Sequence, residues 1–354
     1  MDVTIIYPLP AAGEQSALLG PMDTGGRGPL LPRTVFEQEH VPDLDELQSV
    51  PTDTEREASL RALAMRFDPC PRVTMPPPAG TSCQPELRII FQSLRRDGAA
   101  TATRDGAIHA FYKLTPAAWE EILRELRAIR AEQASAPEVR LDVHPLLRAQ
   151  GPGGAYANRL KALVVKHAGE QNLVRVTQFR RIPSESARWV FSIRELERGR
   201  WQNATIPTLA GATEVSLYTL AGGRWDAELN PRADPALDTT RIFKVSTPAE
   251  EREAFRSVVR ALNPRLHSSE SIDCASCHIA PDVSVFAKST GRASEGDYPE
   301  RFQSRYSLDA AHKSVDEAIG FENLHMLSYS GTSLSVSHRV ANETAAVLEL
   351  LNGS

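Results

Sequence analysis

The sequence predicts an α+β region over residues 1–246 that contains an antiparallel meander, followed by a small, mainly α-helical domain over residues 247–354. Short segments of alternating apolar and polar residues recur through 172–245, with turn residues between them, and this pattern is typical of antiparallel strands. After it, the capping box Thr247–Glu250 starts a helix, and no clear strand pattern follows. We therefore place a domain boundary near Ser246.

Individual elements of the first region follow from local patterns. We expect a strand in Val3–Tyr7 and a helix in Glu55–Arg66. Strands are also expected around Leu87–Phe91 and Ile108–Tyr112, where every second residue is apolar. A helix should begin at Pro116, with Thr115 as its N-cap. The expected strands of the meander are Leu173–Phe179, Arg188–Arg194, Arg200–Ile206, Thr213–Leu220, Arg224–Leu229 and Arg241–Val245.

Composition excludes several classes of protein. The net charge of -5 gives no basic surface for nucleic acid. No stretch approaches the roughly 20 apolar residues that a membrane helix needs. The first residues also lack the basic end and apolar core of a signal peptide. If the protein is exported, we expect that its signal peptide has been removed, and a lipid anchor on that removed segment is compatible with the sequence.

One motif carries recognisable chemistry. The segment Cys274-Ala275-Ser276-Cys277-His278 has the C-x-x-C-H spacing of covalent haem attachment. Two thiols three residues apart can form thioethers with the two vinyl groups of one porphyrin, and the next residue can present its imidazole to the iron. The small residues between the cysteines let the backbone approach the macrocycle closely.

Two other uses of this motif are chemically reasonable. A zinc site would need four ligands, usually from a second Cys or His pair at comparable spacing. No second cysteine pair with that spacing is present, so two of His267, His312, His325 and His338 would have to complete the site. A redox-active dithiol is the other alternative, although no thioredoxin-like βαβ pattern surrounds the motif.

On these residues the segment from about Thr247 to the end resembles single-haem c-type cytochromes. The resemblance implies one covalent haem c on Cys274 and Cys277, with His278 as the proximal iron ligand and a sixth ligand some tens of residues later. Met326, the only methionine after the motif, is the first candidate for that ligand, and the neighbouring His325 is the second. His338, His312 and an open coordination position are the further alternatives.

The remaining cysteines, Cys70 and Cys83, bracket a short loop rich in proline. Haem c attachment and disulfides both belong to oxidising compartments outside the cytoplasm, so we expect these two residues to form a disulfide. Such a bond stabilises a small loop by about 3 kcal/mol in the chain-entropy model. The expected location is therefore the periplasm, the cell exterior or the outer membrane surface of a bacterium.

Three functions are compatible with this sequence. The first is one-electron transfer to a redox protein partner, with the α+β region as a docking or anchoring domain and no catalytic residue. The second is a haem sensor or enzyme with an open iron position that binds peroxide or a gas. The third is a secreted binding or structural protein with an accessory haem. His109 and His144 lie on or beside strands, and we expect both to be structural.

Overall fold

A computed structural model describes residues 3–37, 59–69, 84–132, 141–182, 188–204, 214–220, 224–228, 239–268, 271–293, 295–306 and 324–352. Its strands, in chain order, are β1 Thr4–Ile6, β2 Thr24–Gly25, β3 Gly28–Pro29, β4 Leu60–Asp68, β5 Glu86–Asp97, β6 Ala100–Thr103, β7 Gly106–Lys113, β8 Leu173–Ile182, β9 Arg188–Glu197, β10 Arg200–Asn203, β11 Glu214–Leu220, β12 Arg224–Glu228, β13 Leu327–Ser330 and β14 Ser333–Val336. Its α-helices are α1 Arg33–Glu37, α2 Pro116–Glu132, α3 Pro145–Gln150, α4 Ala155–His167, α5 Pro248–Leu262, α6 Cys274–Ser289 and α7 His338–Asn352.

One large antiparallel sheet organises the molecule. Its strands follow the order β1-β4-β5-β7-β8-β9-β11-β12, with β6 beside β5 and β10 beside β9. Each of these pairings is antiparallel, and most join consecutive or nearly consecutive strands. The expected α+β class and the antiparallel meander are therefore confirmed.

The sheet is covered on both faces. Along β7, Ala107, His109 and Phe111 share one face because side chains alternate, and Ala110 and Tyr112 lie on the other. Members of both sets are buried. The C-terminal elements lie on the His109 face, since α6 contacts β9 and β11 and the β13–β14 hairpin contacts β4 and β6. The C-terminal elements therefore cover the face of the sheet on which His109 lies.

The expected helix in Glu55–Arg66 is wrong where the structure describes it. Leu60–Asp68 forms β4, which pairs with both β1 and β5. Every residue from Ala62 to Asp68 is buried, although this stretch consists largely of good helix formers. Pairing on both edges and burial on both faces outweigh that intrinsic helical preference.

Two further expectations are wrong, one at the end of the meander and one in the C-terminal segment. In place of a strand over Arg241–Val245, Thr239–Phe243 forms a 3-10 helix that contacts α5 and α6 and buries Ile242 completely. The segment after Thr247 also contains the hairpin β13–β14, which turns through Gly331 at a φ of 62°. Glycine adopts this left-handed conformation without steric cost.

The hydrophobic core continues across the predicted boundary at Ser246. Buried residues of the sheet and of α5, α6 and α7 belong to one cluster. The Tyr329 hydroxyl donates to the Tyr7 carbonyl at 2.8 Å, and the Thr4 and Thr344 hydroxyls bond at 2.8 Å. The chain end thus packs on its beginning.

Helix starts agree with the local signals. Thr115 accepts a hydrogen bond from the Ala118 amide, and Thr247 and Glu250 form the expected capping box. Within the described residues, no helix combines the length and apolar character that crossing a bilayer requires. Cys70 and Cys83, the predicted disulfide pair, lie outside the described residues.

Candidate functional site

The first turn of α6 presents the three motif side chains together. Asp273 is the N-cap, and its carboxylate accepts a hydrogen bond from the Ser276 amide at 2.8 Å, so the helix begins at Cys274. Residues three and four apart share a face of a helix. Cys274, Cys277 and His278 therefore lie side by side, and both cysteines are free thiols.

The other two residues of this turn pack into the core and fix the position of the motif. Ala275 and Ser276 are fully buried, and the Thr239 hydroxyl donates to the Ser276 carbonyl at 3.1 Å. The 3-10 helix that replaces the expected strand thus holds the motif against the core. Cys274 and Cys277, by contrast, are only half-buried.

The His278 imidazole is held in one orientation. Its Nδ1 lies 2.8 Å from the Leu324 carbonyl oxygen. Because a carbonyl can only accept, Nδ1 is the donor in this hydrogen bond. A metal-binding histidine is commonly fixed in this way by a hydrogen bond from its other nitrogen. The ring packs on Phe179 and Phe191, with centroid distances of 4.9 and 5.2 Å.

All three motif residues line one cavity between α6 and the sheet. The cavity has a volume of about 60 Å³. Met326 lines it from the C-terminal side, and His109 lines it from β7. The geometry therefore brings the two cysteines and His278 to the same interior space as residues of the large sheet.

Buried charges line the same cavity. Glu343 on α7 bonds both Arg66 and Arg339, and these guanidinium groups hold the pKa of its carboxyl well below the usual range despite burial. Arg88 lies over the Phe111 ring at 4.5 Å. In the part of the chain that the structure describes, its Nε has no hydrogen-bond partner and its guanidinium forms no ion pair. Burial lowers the pKa of Arg88.

The thiols are not activated as nucleophiles. Burial raises the pKa of Cys274 to about 12 and that of Cys277 to about 11. Reactive dithiols instead have lowered pKa values, because the thiolate is the attacking species. The arrangement therefore disfavours the redox-active dithiol alternative.

The histidines weighed as other ligands do not converge on the motif. His325 Nε2 accepts a hydrogen bond from the Gly106 amide at 3.3 Å, and its ring packs on Phe179 and Trp189. His267 contacts Ser271 rather than lining the cavity, and His338 is exposed at the start of α7. His312 lies outside the described residues. Across the described ranges, no group of three or more His, Cys, Asp or Glu side chains is placed to hold a bare metal ion.

His109 lies at the cavity, where the sequence analysis did not place it. We expected His109 and His144 to be structural, and His144 is so, since it caps α3 and bonds the Tyr156 hydroxyl. His109 instead lines the cavity, with its ring centroid 6.4 Å from that of His278. Burial and the nearby Arg88 hold the pKa of His109 well below its usual value. Alternation along β7 indicates only that His109 shares its strand face with the apolar residues Ala107 and Phe111.

Comparisons with known proteins add no identification. The sequence matches no family model, and neither a curated protein nor a solved structure is detectably similar to it.

Proposed function

We propose that the chain is an exported single-haem c-type cytochrome that transfers one electron at a time, with its sheet region as the docking or anchoring part. One observation carries the proposal. Cys274, Cys277 and His278 share one turn of α6 and line one cavity, and a hydrogen bond from Nδ1 to the Leu324 carbonyl orients the His278 ring.

The donor set fits this cofactor. The two thiols would form the thioethers, and His278 would bind the iron through Nε2. Arg88, a half-buried cation without an ion pair in the described part of the chain, would pair with a carboxylate of the porphyrin. When bound, haem supplies reversible exchange of one electron at its iron.

The cavity would have to enlarge for attachment. Sites for ligands of this size measure several hundred Å³, and the cavity between α6 and the sheet measures about 60 Å³. We therefore expect haem to attach before α6 and the β13–β14 hairpin close on the sheet.

Exposure of the motif favours electron transfer over catalysis. Cys274 and Cys277 are half-buried, whereas His278 is buried. The porphyrin edge that carries the thioethers would thus lie nearest to solvent, where a redox protein can dock. A single haem moves a single electron, which suits a carrier. Met326 stays the sequence-based candidate for the sixth ligand.

The test is covalent haem attachment. The full chain is expressed with a signal peptide and the haem-attachment machinery, and it is assayed by pyridine haemochrome and intact mass. We expect one haem per chain that resists acid–acetone extraction. Cys274→Ala and Cys277→Ala should each lose one thioether, while His338→Ala, a change at an exposed histidine, should leave attachment intact. A colourless protein with two alkylatable thiols would contradict the proposal.

The same preparation tests the alternative of an open iron site. A high-spin spectrum that changes on addition of carbon monoxide would favour a gas or peroxide sensor or enzyme over a carrier. Alkylation before and after reduction, followed by peptide mapping, tests the predicted Cys70–Cys83 disulfide.

A further inference from the structure

We infer that His109, on strand β7 of the sheet, is the second axial ligand of the iron, opposite His278. The inference rests on the proposed function and adds to it the ligand set. It replaces the expectation, drawn from the chain order of c-type cytochromes, that the ligand follows the motif in sequence.

The spacing of the two imidazoles supports this assignment. Their ring centroids are 6.4 Å apart, and both rings line the cavity. A ring nitrogen lies about 1.1 Å from its centroid and a metal–imidazole bond is about 2 Å, so two imidazoles that share one metal ion have centroids roughly 6 Å apart. The observed separation shows that His109 and His278 are close enough to share one metal ion.

The hydrogen bonding of the histidines also distinguishes His109. Within the described residues, neither ring nitrogen of His109 has a hydrogen-bond partner, although the side chain is half-buried in the interior. Both nitrogens are therefore not engaged elsewhere in the described part of the chain and can bind a metal ion. His325, the alternative beside Met326, already uses its Nε2 to accept the Gly106 amide.

One side chain must move for this arrangement. The Phe179 ring lies 4.9 Å from His278 and 6.4 Å from His109, so it flanks the line between the two imidazoles. A porphyrin plane between them requires the Phe179 ring to turn aside. This is the same enlargement of the cavity that haem attachment already demands.

The assignment changes what the sheet region does. His109 belongs to β7, which pairs with β5 and β8 in the centre of the sheet. The first 246 residues would then complete the haem site as well as dock a partner. Two histidine ligands also give a lower reduction potential than a histidine and a methionine.

The test compares variants of the full-length holoprotein, with haem content measured in each sample. We expect the wild type to be low-spin and to lack a sulfur-to-iron charge-transfer band. His109→Ala should become high-spin and should return to low-spin when imidazole is added. Met326→Ala, the matched control at another residue that lines the cavity, should remain low-spin.

A second variant distinguishes the loss of an iron ligand from a folding defect. His109→Met should restore a low-spin iron and introduce the sulfur-to-iron band that the wild type lacks. If His109→Ala carries haem and stays low-spin, or if Met326→Ala becomes high-spin, the assignment is overturned while the cytochrome proposal stands. If no variant and no wild-type sample carries covalent haem, the proposed function itself fails.

Discussion

Glu343 on the final helix bonds the guanidinium of Arg66 on β4, which ties the end of the chain to the second strand of the large sheet. Both side chains are largely buried, and Arg339 bonds the other carboxylate oxygen at 2.9 Å. Both Arg66 and Glu343 line the cavity that the two cysteines also line.

Replacing Glu343 by Gln should strongly destabilise the fold. The substitution leaves two buried guanidinium groups facing a neutral amide, and breaking a buried pair in this way costs about 3 kcal/mol. Glu349→Gln is the matched control on the same helix, because it removes an ion pair to the half-exposed Arg265, and such pairs contribute less than about 1 kcal/mol. Urea unfolding measures both, and equal losses in the two variants would contradict a buried, structural pair.

The stability that Glu343 supplies should depend on acid pH. Its carboxyl pKa in the folded protein is lowered, so the contribution is fully present above the unfolded value of about 4.3 and is lost as pH falls below it. The difference in unfolding free energy between wild type and Glu343→Gln should therefore shrink between pH 6 and pH 3. A difference that stays constant over this range would show that the carboxylate is not stabilised by its partners.

The predictable and unpredictable parts of this protein differ in the range of the interactions that determine them. Strands β8 and β9 were predictable because each alternates apolar and polar residues. This alternation is visible within the sequence of the strand itself. Strand β4 was not, because its leucine, alanine and methionine residues favour a helix until two neighbouring strands pair with them.

The same distinction applies to the candidate site. Cys274, Cys277 and His278 are recognisable because their chemistry depends on spacing within one helical turn. His109 reaches the cavity only because β7 lies in the centre of the sheet and α6 covers that face. A single sequence contains no local signal for a contact between elements that lie so far apart along the chain.

Replacing Arg88 by Met should lower the reduction potential of the attached haem. A nearby cation favours the reduced iron because reduction lowers the positive charge of the site. Losing it should shift the potential downward by on the order of 59 mV, a tenfold change in the one-electron equilibrium. Met preserves the apolar contact with Phe111. Arg95→Met, an exposed change on the same strand, should leave the potential unchanged in a spectroelectrochemical titration.

The thiols of protein made without haem should react slowly. With pKa values of about 12 and about 11, Cys274 and Cys277 carry very little thiolate near pH 8. Alkylation by iodoacetamide should be at least about a hundredfold slower than for an exposed cysteine of pKa about 8.5, and it should still be accelerating above pH 9. Fast labelling at neutral pH would revive the dithiol alternative. As a control, both cysteines should be alkylated rapidly once the protein is unfolded in denaturant.

Replacing Ser328 by Gly should stabilise the hairpin that directly follows Met326. Ser328 is fully buried with a φ of 116°, and in the described part of the chain its hydroxyl has no hydrogen-bond partner. Glycine adopts such a φ without strain and removes the unpaired hydroxyl, so the free energy of unfolding should rise by about 1 kcal/mol. Ser333→Gly, at an exposed position of the same hairpin, should instead be neutral or destabilising by up to about 1 kcal/mol. A loss of stability in Ser328→Gly would show that the backbone at this position carries no strain.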